Sequence, residues 1–136
     1  MKVFNADGLI LGRLATAVAK ASLLGDDVVV YNCEKAVMSG KPAMLVAKHK
    51  QRRDRGTHKG PYYYRIPYMF VKRTIRGMLP HKQPRGREAL KRIKCYNGEP
   101  EQYKGKGETV EGASMKKLPM LYFMTVDQLT KEMGRR

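Results

Sequence analysis

Val28, Val29, Val30 and Tyr31 form the stretch that most constrains this chain. Four consecutive residues of this kind offer no polar side. They suit a strand buried on both faces, as in a parallel sheet beneath helices. A parallel partner requires a crossover, usually a helical one. The preceding residues supply both. Lys2–Asn5 alternates weakly and reads as a first strand, and residues 7–12 read as a turn carrying apolar side chains. Across residues 13–24, Leu14, Ala15, Val18, Ala21 and Ser22 recur at helical intervals, with Gly25 placed to stop the helix. Strand, helix and strand within about 30 residues make a right-handed βαβ unit. Ala36, Val37 and Met38 continue or flank its second strand.

Two glycine patterns in this half invite a nucleotide-binding reading and fail it. Gly8 and Gly12 are spaced G-x-x-x-G, not G-x-G-x-x-G. Ser39-Gly40-Lys41-Pro42 resembles the end of a phosphate loop, but Lys35 stands where the upstream glycine belongs. Pro42 also stands where Ser or Thr would bind magnesium. Glycine here serves tight turns.

Residues 42–51 read as a second helix, with Met44, Leu45 and Ala47 inward and Lys48, His49 and Lys50 at its end. The helix dipole alone favours cations there, by ~0.3–1 kcal/mol each. Residues 52–60, RRDRGTHKG, are too polar and glycine-rich for a core element and read as a loop that bound phosphates would order.

The next stretch, residues 59–79, KGPYYYRIPYMFVKRTIRGML, combines aromatic rings with a helical pattern. Pro67 fits the first turn, where its missing N–H costs nothing. At about 100° per residue, Phe70, Val71, Thr74, Ile75, Met78 and Leu79 fall on one half of the helix. Lys72, Arg73 and Arg76 fall on the other. Cations for phosphates beside rings for unstacked bases are what an RNA surface requires. A surface helix with a solvated basic side would show the same pattern. Tyr62, Tyr63 and Tyr64 either stack bases or pack on the core, and at least one of the three should face inward.

Residues 79–87 form a loop stiffened by Pro80 and Pro84 and carrying three cations, Lys82, Arg85 and Arg87, beside His81. Pro84 opens a third helix with Ala89, Leu90 and Ile93 inward, where Glu88 can pair with Arg92 for ~0.3–0.5 kcal/mol. Lys94, Cys95 and Tyr96 read as a short strand. Residues 99–117 are glycine-rich and weakly apolar, an extended or mobile excursion. Residues 120–124, MLYFM, read as a last strand. Thr125 then caps a terminal helix lined by Val126, Leu129 and Met133 and ending at Gly134.

At 136 residues and 42% apolar content, with no repeat and no linker, the chain reads as a single folded domain, residues 1–136. Its charge is concentrated. Residues 48–94 hold 16 Lys+Arg against Asp54 and Glu88, so they carry +14 of the chain's net +16. Such an excess destabilises a compact protein by self-repulsion unless a polyanion compensates it. Membrane binding is the competing use, but no apolar run reaches the ~20 residues of a span. The first residues also lack the apolar core of a signal peptide. Cys33 and Cys95 read as reduced, buried thiols of a cytosolic protein.

Material for catalysis is scarce. His49, His58 and His81 all lie among cations, which favours neutral imidazoles, and none has zinc-ligand spacing. Acids near the basic segment are too few for paired-carboxylate chemistry. His58 or His81 serving a nuclease is the enzymatic alternative, and a free regulatory RNA binder is the other.

Several stretches together resemble large-subunit ribosomal protein thirteen in its archaeal and eukaryotic form. The residues are Gly12-Arg13-Leu14-Ala15, residues 29–36 (VVYNCEKA) with Ser39-Gly40, Gly60-Pro61-Tyr62, residues 73–82 (RTIRGMLPHK), Arg85-Gly86 and Asn97-Gly98-Glu99-Pro100. The resemblance implies a three-layer α/β/α sandwich around a small, mainly parallel sheet, with basic loop extensions. It implies a non-catalytic constituent of the large ribosomal subunit in the cytoplasm. Its partners would be large-subunit rRNA and neighbouring large-subunit proteins, with no cofactor, metal, membrane or small-molecule substrate. On this view Lys50, Arg52, Arg53, Arg55, His58, Lys59, Tyr62, Arg65, Lys72, Arg73, Arg76, His81, Lys82, Arg85 and Arg87 face rRNA. The chain lacks the insertion of the bacterial form between first helix and second strand. It also lacks the long basic C-terminal helix of the eukaryotic form, which favours an archaeal source. Residues 101–118 match the family least.

Overall fold

In the structure, a computed structural model, residues 1–119 and 121–134 are described. The chain begins β1 (Lys2–Asn5), α1 (Leu11–Leu23), β2 (Val28–Tyr31), β3 (Val37–Ser39) and α2 (Pro42–Asp54). A minimal hairpin follows, β4 (Gly56–Thr57) and β5 (Gly60–Pro61). Then come α3 (Pro67–Met78), α4 (Pro84–Lys91), β6 (Ile93–Cys95), β7 (Phe123–Thr125) and α5 (Val126–Glu132).

The central sheet has the order β1-β2-β6, with both pairs parallel and Val29 aligned with Val3 and Lys94. All four β2 residues are buried, as an unbroken apolar run in the middle of a sheet must be. Both crossovers step in the same lateral direction. Right-handed connections therefore bring α1 beside α3 and α4. The result is the expected α/β architecture, with helices packed on a small, mainly parallel sheet.

The predicted inner face of α1 is buried at every position: Leu14, Ala15, Val18, Ala21 and Ser22. The helix starts at Leu11, so Gly12 lies in its first turn rather than in the turn before it. Gly25 ends it at φ 101°. The Gly25 N–H donates to the Ser22 carbonyl and the Asp26 N–H to the Ala21 carbonyl, closing the last turn. The buried Ser22 hydroxyl donates to the Ala89 carbonyl and ties α1 to α4.

Val37 does not extend β2. A 3-10 turn over Cys33–Lys35, entered through Asn32 at φ 56°, redirects the chain. β3 then pairs antiparallel with β7 in a separate two-stranded sheet. Cys33 and Cys95 are buried free thiols. Contact with Cys95, together with burial, pushes the Cys33 thiol well above its ordinary range. At the end of the chain, Thr125 and Gln128 form a reciprocal capping box, and Val126, Leu129 and Met133 are buried.

The later part of the chain departs from expectation in detail. Of the two readings of residues 99–117, extended or mobile, the structure shows an extended path that pairs with the free edge of β1 at Glu108 and with Ile10 at Ala113. The Glu108 N–H donates to Val3 and the Asn5 N–H to Glu108, the Ile10 N–H donates to Ala113, and Ala113 is fully buried. Backbone pairing with a strand edge, which local composition does not reveal, supplies this order. The last strand is shorter than residues 120–124 and shifted: Phe123 and Met124 begin β7, while Leu121 and Tyr122 precede it. Met120 lies outside the described residues, Leu121 is 95% exposed and only Met124 is buried. Glu88 and Arg92 make no ion pair, because the Arg92 guanidinium donates to the Ser22 carbonyl instead.

Candidate nucleic-acid interface

The basic segment folds as α2's last turns, the β4–β5 hairpin, α3, the turn after it, and α4. Helix α2 runs to Asp54, so Arg52 and Arg53 are helical and not part of a loop. No helix-stopping residue precedes Gly56. Its inward residues also differ from expectation. Met44 is 68% exposed and Ala47 is exposed, while Leu45, Val46 and His49 pack inward.

His49 is the residue that sequence reasoning misplaced most. It is 5% exposed, with its ring 5.4 Å from Phe70 of α3. Its Nδ1 donates to the Leu45 carbonyl at 2.8 Å. A carbonyl can only accept, so the ring proton sits on Nδ1 and Nε2 is left as an acceptor. Burial lowers the His49 pKa, with the Arg52 and Lys48 charges adding to it. The available signal was spacing: 45, 46 and 49 share one helical face.

The cationic side of α3 is only half free. Phe70, Val71, Ile75 and the following Leu79 are buried as expected, but Thr74 is half-buried and Met78 is 43% exposed. Lys72, Arg73 and Arg76 are half-buried rather than fully presented. The Lys72 ammonium donates to the Ile93 carbonyl at 2.9 Å, across to β6. The Arg73 guanidinium lies over the Tyr63 ring, 4.9 Å from its centroid. Tyr63 is therefore the inward-facing tyrosine of the three, while Tyr62 and Tyr64 are exposed. Tyr64 and Arg73 form a shared wall between two depressions. One is bounded by α1, α2 and α3, and the other by Lys72, Arg76 and Leu90.

Backbone carbonyls fix several guanidiniums. Arg53 donates to Tyr63, Arg65 to Gly134 and Arg87 to Lys82. Each such bond uses part of a five-donor fork and leaves the remainder for a ligand, with less side-chain freedom to lose. Burial and the neighbouring Arg65 charge lower the Arg53 pKa. Lys50, Arg55, His58 and Lys59 are exposed at the end of α2 and on the hairpin. Lys82, Arg85 and Arg87 are exposed around the start of α4, and His81 is half-buried beside them. Their placement depends on Gly86, which is buried directly against the Pro80 backbone.

The electrostatic balance is one-sided. The ion pairs among the described residues are Lys2–Asp26, Lys35–Asp7 and Lys131–Asp127. None of these involves residues 48–94, so among the described residues their cations form no ion pair. Among the described residues no His, Cys, Asp and Glu group could hold a metal, and no helix is long and apolar enough to cross a membrane.

This arrangement has relatives. A family profile described as Ribosomal protein L13 matches residues 1–102. The large ribosomal subunit protein uL13 of Methanosarcina barkeri is 42% identical, over 100% of this chain and 99% of its own length. Its counterpart in Methanococcoides burtonii is 41% identical, over 100% of this chain and 99% of the relative. That of Haloarcula marismortui is 39% identical, over 97% and 90%.

Proposed function

The chain belongs to the ribosomal protein L13 family, and from that premise we propose that its uncompensated basic flank is the surface that holds large-subunit rRNA. The protein is a structural constituent of the large ribosomal subunit, with rRNA and ribosomal proteins as partners and no catalytic step of its own. A core shared by residues from Phe4 to Met133 supports reading the chain as one domain.

The observation that carries the residue-level reading is the +14 of residues 48–94, none of it in an ion pair among the described residues. Phosphates would supply that counter-charge, releasing condensed counterions as they do so. Lys50, Arg52, Arg53, Arg55, His58 and Lys59 would contact one stretch of RNA from α2 and the hairpin, with Tyr62 and Arg65 beside them. Arg73 and Arg76 would line the centre, with Lys72 adding charge from a position fixed by β6. His81, Lys82, Arg85 and Arg87 would hold a second stretch. The carbonyl-anchored guanidiniums support this reading, because they are ordered before RNA arrives.

Sedimentation tests the role directly. A tagged chain expressed in an archaeal host should migrate with large subunits through a sucrose gradient in high salt. Recovery at the top of the gradient would contradict a structural role.

A further inference from the structure

We propose that the depression between α1, α2 and α3 receives one unstacked nucleobase of the bound RNA, with guanine the base whose edges match its lining. This rests on the reading that the chain binds rRNA and deepens it from charge neutralisation to the reading of a base.

The depression has a volume of about 380 Å³, within the ~300–1,000 Å³ range of small-molecule sites. Its walls suit a flat ring. Ile10, Leu11 and Phe70 are buried apolar side chains, and Tyr64 stands at its edge, 43% exposed. Unstacked RNA bases are held by aromatic rings and by guanidinium planes, and the Arg73–Tyr63 pair offers both surfaces together.

Two polar groups on residues that line it are left over from folding. Arg73 Nε is buried and has no hydrogen-bond partner. A dry, unpaired donor is destabilising, and an acceptor brought by a ligand would relieve it once the half-buried Arg73 side chain turns toward the depression. His49 is committed through Nδ1 to the Leu45 carbonyl, which leaves its Nε2 able only to accept. Arg52 contributes a second guanidinium, and no acidic residue lines the depression. The lining therefore combines arginine donors with one imidazole acceptor. Guanine presents acceptors at O6 and N7, the usual arginine partners, and donors at N1 and the 2-amino group. Uracil has no adjacent pair of acceptors on one edge; cytosine has one, N3 and O2, but only its 4-amino group as a donor where guanine offers two.

Two glycines permit a test that leaves charge unchanged. Gly12 in α1 and Gly77 in α3 both line the depression. A Cβ on Gly12 would meet nothing within 4 Å, and one on Gly77 would meet only Arg73 Nη1 at 3.9 Å. Gly12→Leu and Gly77→Leu therefore fill the opening without entering the core. Each should retain the wild-type circular dichroism and salt dependence of binding to a large-rRNA fragment, yet lose about ten-fold in affinity. Unchanged affinity in both folded variants overturns the proposal. If the wild-type chain itself bound without salt dependence, the rRNA reading would fail instead.

Side-chain nitrogen NMR separates base from phosphate. Titration with guanosine 5′-monophosphate should shift Arg73 Nε and the His49 ring, more than the other three nucleotides and far more than ribose 5-phosphate. Equal shifts from ribose 5-phosphate, or no shift with any nucleotide, would overturn insertion of a base. A larger response to another base would overturn the guanine assignment.

Discussion

Gly86 of α4 packs its bare Cα against the Pro80 backbone, so that a Cβ there would overlap the Pro80 carbonyl oxygen. This one contact sets the turn after α3 against the start of α4. It thereby gathers Lys82, Arg85 and Arg87 on one flank.

Gly86→Ala should therefore be costly although alanine favours helix. Overpacking against rigid backbone costs about 1–3 kcal/mol, more than the roughly 1 kcal/mol gained from helix propensity. Urea denaturation should show a lower midpoint. The folded variant should also bind rRNA more weakly than wild type, since the loop must move.

Lys72 couples the basic face to the sheet. Lys72→Met keeps the apolar stem but leaves the Ile93 carbonyl without its donor. Stability should fall by about 0.5–1.5 kcal/mol. Arg76, which makes no such bond to β6, should tolerate the same change with little loss of stability. Equal destabilisation of the two variants in urea would show that Lys72's reach to β6 carries no weight.

Ser22 should respond like a buried clasp. Its hydroxyl is fully enclosed and donates to the Ala89 carbonyl. Ser22→Ala should lower stability by about 0.5–1.5 kcal/mol, because the Ala89 carbonyl loses one of its two donors and keeps the Arg92 N–H. RNA affinity measured well below the melting temperature should hardly change.

His49 predicts a pH dependence with a defined sign. Its folded pKa is lowered from 6.5, first by burial. The unfolded chain therefore binds more protons than the native one below pH 6.5. The His49 contribution is fully present above that pH and is lost as pH falls toward the depressed folded value. His49→Gln should flatten this part of the stability profile between pH 7 and pH 5. A profile unchanged by the substitution would show that His49 is not the group responsible.

Much of this fold was legible in the sequence because the informative signals are local. β2 announces itself by four apolar residues. α1 does so by its periodicity and Gly25, and α5 by the Thr125 cap and the spacing of Val126, Leu129 and Met133. What escaped depends on partners distant in the chain. Residues 99–117 are ordered by the edge of β1, through Glu108 and Ala113. His49 is drawn inward by Phe70, and Lys72 by Ile93. Charge concentration singled out residues 48–94, but charge alone could not separate cations engaged by backbone carbonyls from those that make no such bond. Nor could it show that Arg73, Tyr63 and His49 line one depression.

The central claim is that a crowded cationic flank, with no ion pair among the described residues, is neutralised by rRNA phosphates. The salt dependence of binding to a large-rRNA fragment measures this most directly. Six to ten neutralised phosphates predict a slope of log affinity against log salt of roughly −4 to −9. A slope near zero would contradict the account.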